Sequence, residues 1–335
     1  MKEYDSQTQK LIQLAKDNRL DNPSIVLESA RILRDTAKEN DDLDLLGFAD
    51  YSMANAYFIL NDTDSVRHYA ERALVSLNKA ENWTLAVSCF NVMALAEKRA
   101  GNIIKAMDLL KSAGKYVEKY NLKDMGVLVY MNYADIYMQL ESYDEVITNI
   151  LIAETYLNNC PDDTKHAYYY MVVSSEAAYY AKRTNQIDLY EKHRKILNGI
   201  LKKYPEYRNE INVLLLEYQE ASDRHESERE EELIEEIRIG LFSSMNFLDY
   251  TNETMAFLNI LKNAKKYAVL EELLEFVTQS MNGYETDGIT AMVSSFKIQY
   301  YLDTEQKEKL NTELYAYWDH TRSNREKSNE TLISR

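Results

Sequence analysis

Glycine and proline are scarce in this chain, 8 and 3 in 335 residues. Loop-rich folds and sheets use far more of both, so helix must dominate. Cysteine is scarcer still: Cys89 and Cys160 are the only two, with no CxxC or His-paired spacing. That excludes a disulfide scaffold and a zinc site and leaves two thiols expected to be free and buried. Positive charge is in deficit, 39 Lys and Arg against 55 Asp and Glu, a net charge of −16. Such a field repels phosphate backbones and anionic headgroups, so neither nucleic acid nor a membrane surface is expected as a partner. No window approaches about 18 consecutive apolar residues, and the opening "MKEYDSQTQK" has no apolar core. Neither a membrane span nor a signal peptide is expected, and the location read from this is cytoplasmic.

Catalytic patterns are missing as well. The five histidines, His68, His166, His193, His225 and His320, belong to no HExxH or Cys/His cluster. No GxGxxG or GxxxxGK[ST] loop could cradle a phosphate. The densest charge run, "ESEREEELIEEIR" at 226–238, reads as a solvated helix with one apolar edge at Leu233, Ile234 and Ile237, since no glycine-containing oxygen-rich turn accompanies it. The expectation is a chain with no catalytic residues, no metal and no cofactor.

What the chain does have is a repeat. Ala54, Ala94 and Ala134 are spaced by 40, and so are Ala73, Ala113 and Ala153, each 19 residues after its partner. Between them lie turn positions Asn61, Gly101 and Glu141, followed by Asp62, Asn102 and Ser142, whose side chains can cap the next helix. Extending the second-helix register gives Leu33, Ala73, Ala113, Ala153, Ile196, Ile237, Val277 and Tyr317, with breaks of 43 at "NNCPDDTK" and of 41 near "KKYPEYRNE". The prediction is an all-α, right-handed solenoid of about eight antiparallel helix pairs over 1–322, followed by a polar helical connector, 323–335. Small residues at the alanine positions let two helices approach closely.

Phe90, Met93, Ala94, Ala106, Leu110 and Ala113 of the second such unit resemble the tetratricopeptide repeat. Departures are Glu97, where the family has tyrosine, and a period of 40 in place of 34. In that family the first helix of each pair lines a concave groove, and the residue after the small position points into it. The resemblance therefore implies groove positions Ala15, Asn55, Leu95, Asp135, Ala178, Gln219, Asn259 and Gln299, four of them carboxamides suited to clamping a peptide backbone. Asn91, Lys98, Arg99, Lys182 and Lys262 are groove candidates on the same helices. Most of the 27 tyrosines, including "AYYYM" at 167–171 and "AAYYA" at 177–181, read as core and ridge residues, with a minority lining a binding surface.

The combination implies a non-catalytic module that recognises a peptide or protein segment in its groove. Long repeat pairs, an acidic tyrosine-rich composition and a polar last helix that stops without a cap resemble the sensory repeat region preceding diguanylate cyclase domains of Gram-positive bacteria. That resemblance implies regulation of an attached or associated C-terminal effector domain; the GG[DE]EF motif itself does not occur in the sequence. The alternatives are a peptide-pheromone receptor of the Rap or PlcR type without its effector domain, and a passive protein-protein interaction scaffold.

Overall fold

The computed structural model of the protein describes residues 4–160, 164–243, 250–281 and 287–333. Among these it is all α. Sixteen α-helices and one short 3-10 helix follow one another without a strand. The chain divides into two compact units, Met1–Val129 and Tyr130–Arg335.

The first unit holds α1 (Ser6–Asp17), α2 (Pro23–Glu39), α3 (Leu43–Ile59), α4 (Thr63–Lys79), α5 (Trp83–Arg99) and α6 (Ile103–Tyr120). Helix α7 (Lys123–Gln139) supplies residues to both units. The second continues with α8 (Tyr143–Leu157), α9 (Thr164–Arg183), α10 (Ile187–Lys203), α11 (Ile211–Asp223), α12 (Ser227–Ser243), α13 (Thr251–Asn263), α14 (Tyr267–Ser280), α15 (Asp287–Asp303) and α16 (Lys307–Ile333). The 3-10 turn Pro205–Asn209 fills the connection from α10 to α11. Successive helices pack as neighbours, and alternate ones also touch: α3 on α5 in the first unit, and α9 on α11, α11 on α13 and α13 on α15 in the second. This is the packing of an α-solenoid and is compatible with tetratricopeptide-like repeats.

The turns explain the regularity. At ten of them among the described residues the position after the helix adopts left-handed backbone: Asp41, Asn61, Glu81, Gly101, Asn121, Glu141, Asn185, His225, Lys265 and Glu305. The following N–H then bonds back five residues, as in Asp62 N to Tyr57 O (2.9 Å), Asn102 N to Glu97 O (2.8 Å) and Gln186 N to Ala181 O (2.8 Å). Paired with the bond from the left-handed residue itself, Gly101 N to Lys98 O at 3.0 Å, this is the Schellman closure that satisfies the last carbonyls of a helix. From 41 to 141 the closure recurs every twenty residues, so the turns between pairs are the same as those within them. Capping is more selective than the sequence implied. Asp42, Asp62 and Asn82 accept from backbone N–H groups three residues on. Asn102 instead donates to Glu97 Oε2 at 2.8 Å, and the Ser142 hydroxyl donates to Glu145 Oε2 at 2.6 Å.

Only Gly101 occupies the left-handed position without a Cβ. Gly101→Ala is expected to destabilise by about 1 kcal/mol, since an L side chain is strained there. Glu81→Gly should be neutral to slightly stabilising, because it relieves the same strain. Urea unfolding of both variants checks the pair; an alanine as stable as the parent would mean that the turn tolerates Cβ at no cost.

Ala54, Ala94 and Ala134 occupy the same place, the twelfth residue of 17-residue helices, and all are buried. Leu33, Ala73, Ala113 and Ala153 are fully buried at the equivalent second-helix position. The register then departs from expectation. Leu197, not Ile196, is the fully buried residue at this position of α10, and Ile237 and Val277 follow it at 40-residue steps. The expected breaks of 43 and 41 are therefore one break of 44, matched by the step from Glu141 to Asn185 in the turns. Tyr317 is exposed. Cys89 is buried as expected, but Cys160 is only half-buried. In α12, Leu233, Ile234 and Ile237 form the buried edge of the acidic run, while Arg229 and Arg238 pair with its glutamates.

Glu97, the departure from the family tyrosine, is buried in the first unit and surrounded by donors. Its Oε1 accepts from Arg67 at 2.6 Å and Lys105 at 2.7 Å, and its Oε2 from Asn102 at 2.8 Å. Burial would raise its pKa, but the hydrogen bonds from Lys105, Arg67 and Asn102 outweigh that and hold the carboxyl below its ordinary range.

Candidate ligand-binding site

A cavity of about 250 Å³ opens in the second unit among α7, α9, α13 and α15, with Tyr143 of α8 at its side. These four are first helices of their pairs, the set that the repeat pattern expected to line a groove. One contact explains how helices so distant in sequence converge. Asn252 at the start of α13 reaches α7, where its Nδ2 donates to the Asp135 carbonyl at 3.2 Å and to the Asp135 carboxylate, with Met138 Sδ at 3.5 Å.

Two cations face this space. Arg183, at the end of α9, lies over the rings of Tyr143 (4.9 Å) and Tyr179 (5.8 Å) and donates to both hydroxyls, at 3.2 and 3.3 Å. Lys262 of α13 sits 5.6 Å from the Phe296 ring of α15. Neither has a carboxylate partner among the described residues. Aromatic faces hold the two cations through their quadrupoles and leave their charge unneutralised. Nearby cations of the same unit are paired, Lys182 with Asp223, Arg194 with Glu220 and Lys266 with Glu231. Among the described residues the one carboxylate on the rim is the exposed Glu141.

The remaining wall mixes amides with soft apolar groups. Asn259 and Gln299 face the cavity with Gln139 and Asn252; the Asn259 amide donates to Met255 O at 3.1 Å and that of Gln299 to Asp303 at 2.8 Å. Met138, Met255 and Met292 supply adaptable thioethers. Tyr180 stacks on Tyr143 at 5.6 Å and meets Tyr179 edge-on at 5.1 Å. Burial raises the pKa of both Tyr179 and Tyr180, so they stand as neutral phenols.

A second cavity of about 30 Å³ adjoins the first and shares Met138, Tyr179, Tyr180, Asn252 and Ala256 with it. Its own residues include Glu176 and Glu253. Glu176 Oε1 accepts from Asn212 Nδ2 at 3.0 Å, while Oε2 is enclosed and accepts no hydrogen bond from the described residues.

Of the residues singled out from sequence, Asn259, Lys262 and Gln299 line the larger cavity together. Asp135 holds Asn252 in place beside it. Lys182 turns away to Asp223 and to the Tyr190 ring, and the carbonyl oxygen of the Gln219 side chain is buried without a partner among the described residues. Ala178 is fully buried; its neighbour Tyr179 takes the cavity position. Asn55, Asn91, Lys98 and Arg99 belong to the first unit. There Asn55 donates to Tyr51 O at 3.1 Å, Asn91 is buried, and Lys98 is half-buried. Arg99 is buried with its guanidinium 3.7 Å from the Phe58 ring centre and bonded to Phe58 O, a clasp between α5 and α3. Arg183 and the tyrosine pair were missed; the signal that could have found them is Arg183 falling one residue after the chosen lysine in "AAYYAKR".

No protein-family model matches the chain, and no curated protein is similar to it at a significant level.

Proposed function

We propose that this chain is a non-catalytic binding module whose second unit holds a peptide or protein segment by a carboxylate. The observation that carries the reading is the pair Arg183 and Lys262, two cations without carboxylate partners among the described residues, facing one cavity of a protein with a net charge of −16. Charge-assisted bonds from a planar guanidinium suit a carboxylate, and the amides of Asn259 and Gln299 suit a peptide backbone beside it. The size favours a short segment over a folded partner, since the cavity falls just below the range of about 300 to 1,000 Å³ typical of small-ligand pockets. The helical repeat architecture supports the tetratricopeptide-like reading, and the sensory role upstream of a diguanylate cyclase-type effector rests on the sequence resemblance alone.

The test is affinity selection from a tripeptide library randomised at every position, offered as free carboxylates and as carboxamides. Carboxylates should be retained about tenfold better, and Lys262→Gln should reduce the preference, as expected for a charged hydrogen bond worth about 1.5 kcal/mol. Equal retention of both forms would overturn the reading.

A further inference from the structure

Glu176 and Arg183 are both on α9, seven residues apart, which places them on one face of the helix, about 10 Å apart along its axis. Tyr179 and Tyr180 lie between them and form the wall common to both cavities. Helix α13 repeats the arrangement, with Glu253 beside the smaller cavity and Lys262 beside the larger. The combined site is therefore bipolar, acidic at one end and basic at the other.

The acidic end is incomplete. Glu176 Oε2 has less than 1 Å² of exposure and no hydrogen-bond partner among the described residues, and Glu176 lines a cavity the size of one small polar group. A buried carboxylate oxygen in that state needs a donor. Without one, burial and then the charges of Glu253 and Asp135 push the Glu176 carboxyl well above its ordinary range. A cationic donor would satisfy the oxygen and offset the neighbouring negative charge together.

Resting on the carboxylate reading above, we infer that the ligand is zwitterionic: a free peptide of about three residues whose α-ammonium meets Glu176 while its α-carboxylate meets Arg183 and Lys262. The length follows from the span. An extended chain advances at most about 3.3 to 3.6 Å per residue, so three residues cover about 10 Å. The methionines and Phe296 of the larger cavity take side chains of the carboxylate end, and a peptide whose N-terminus is blocked cannot complete the acidic end.

The same randomised tripeptide library, now with free and N-acetylated termini, tests this against the parent protein, Glu176→Gln and Arg183→Gln. The parent should retain free tripeptides about tenfold better than acetylated ones. Glu176→Gln should abolish that difference while keeping the preference for carboxylate over carboxamide; Arg183→Gln should do the reverse. Retention independent of N-acetylation in the parent, with the carboxylate preference intact, would overturn the zwitterion and leave the carboxylate site. Loss of the carboxylate preference as well, or no retention of any tripeptide, would overturn both. Matched libraries of dipeptides and pentapeptides fix the length, and equal retention across all three would overturn the span argument. Folding of each variant is checked by its melting temperature. Glu176→Gln should melt no lower than the parent, because it removes a buried carboxyl that has a single partner.

Discussion

Arg183→Gln is expected to weaken binding of a peptide carboxylate by about ten- to hundredfold, the loss of a hydrogen bond to a charged group worth about 1.5 to 3 kcal/mol. Stability should change little, because the side chain makes only a bond to each of two tyrosine hydroxyls and lies over their rings. The informative control is one residue away. Lys182→Gln removes a cation of the same sign from the same helix, but one engaged with Asp223 and the Tyr190 ring, and should leave affinity unchanged. Calorimetric titration with peptides recovered from the library reads both. Equal losses in the two variants would mean that the site responds to general charge and that Arg183 holds no special position.

The largest expected effect on stability is at Glu97. Glu97→Ala should cost about 3 kcal/mol, the lower end for breaking a buried ion pair, because Arg67 and Lys105 are about a third exposed (34% and 33%) and can rehydrate when left alone. The pH dependence follows from the lowered pKa of the folded state. A carboxyl held below its unfolded value stabilises fully above that value and loses the contribution as pH falls through the folded one. The parent should therefore weaken below the ordinary glutamate range more steeply than the variant. Trp83, stacked 4.1 Å from Tyr120 in the same unit, reports this unit's unfolding in a Trp318→Phe background. Parallel pH profiles would show that Glu97 is not ionised in the folded protein.

Helix content, the 40-residue period and the burial of the small positions were legible in the sequence, because glycine and proline scarcity and alanine spacing are direct signals of helix pairs. The register after residue 153 was not. Two adjacent alanines, Ala177 and Ala178, and two adjacent apolar residues, Ile196 and Leu197, satisfy neighbouring registers equally well. A one-residue slip there rotates the expected face of a helix by about 100°. That slip put Ala178 in the groove in place of Tyr179. Lys182 differs from Arg183 for another reason: it pairs with Asp223, 41 residues on, while Arg183 faces the cavity. Asn259, Lys262 and Gln299 share one cavity because the period recovers after the break. The second cavity lay beyond any local pattern, since Asn252 meeting Asp135 is a contact between residues 117 apart.

The twenty-residue recurrence of one turn geometry from 41 to 141 has a bearing on how such a chain can change over evolutionary time. A duplication or excision of forty residues whose ends fall at equivalent turns, Asn61 and Gly101 for example, rejoins a left-handed residue to a helix start of the same shape, so the junction itself introduces no new backbone. Copy number can drift by whole cassettes only up to the turn at Asn121, because α7 beyond it supplies Met138 and Gln139 to the cavity. After residue 153 the connections differ from one another, one carrying four added residues and another the 3-10 turn Pro205–Asn209. The cavity is built from helices on both sides of those idiosyncratic joints, so losing a cassette there would remove walls of the site along with the helices. One stretch of the chain is free to lengthen or shorten, while the part that carries the cavity is committed to its present number.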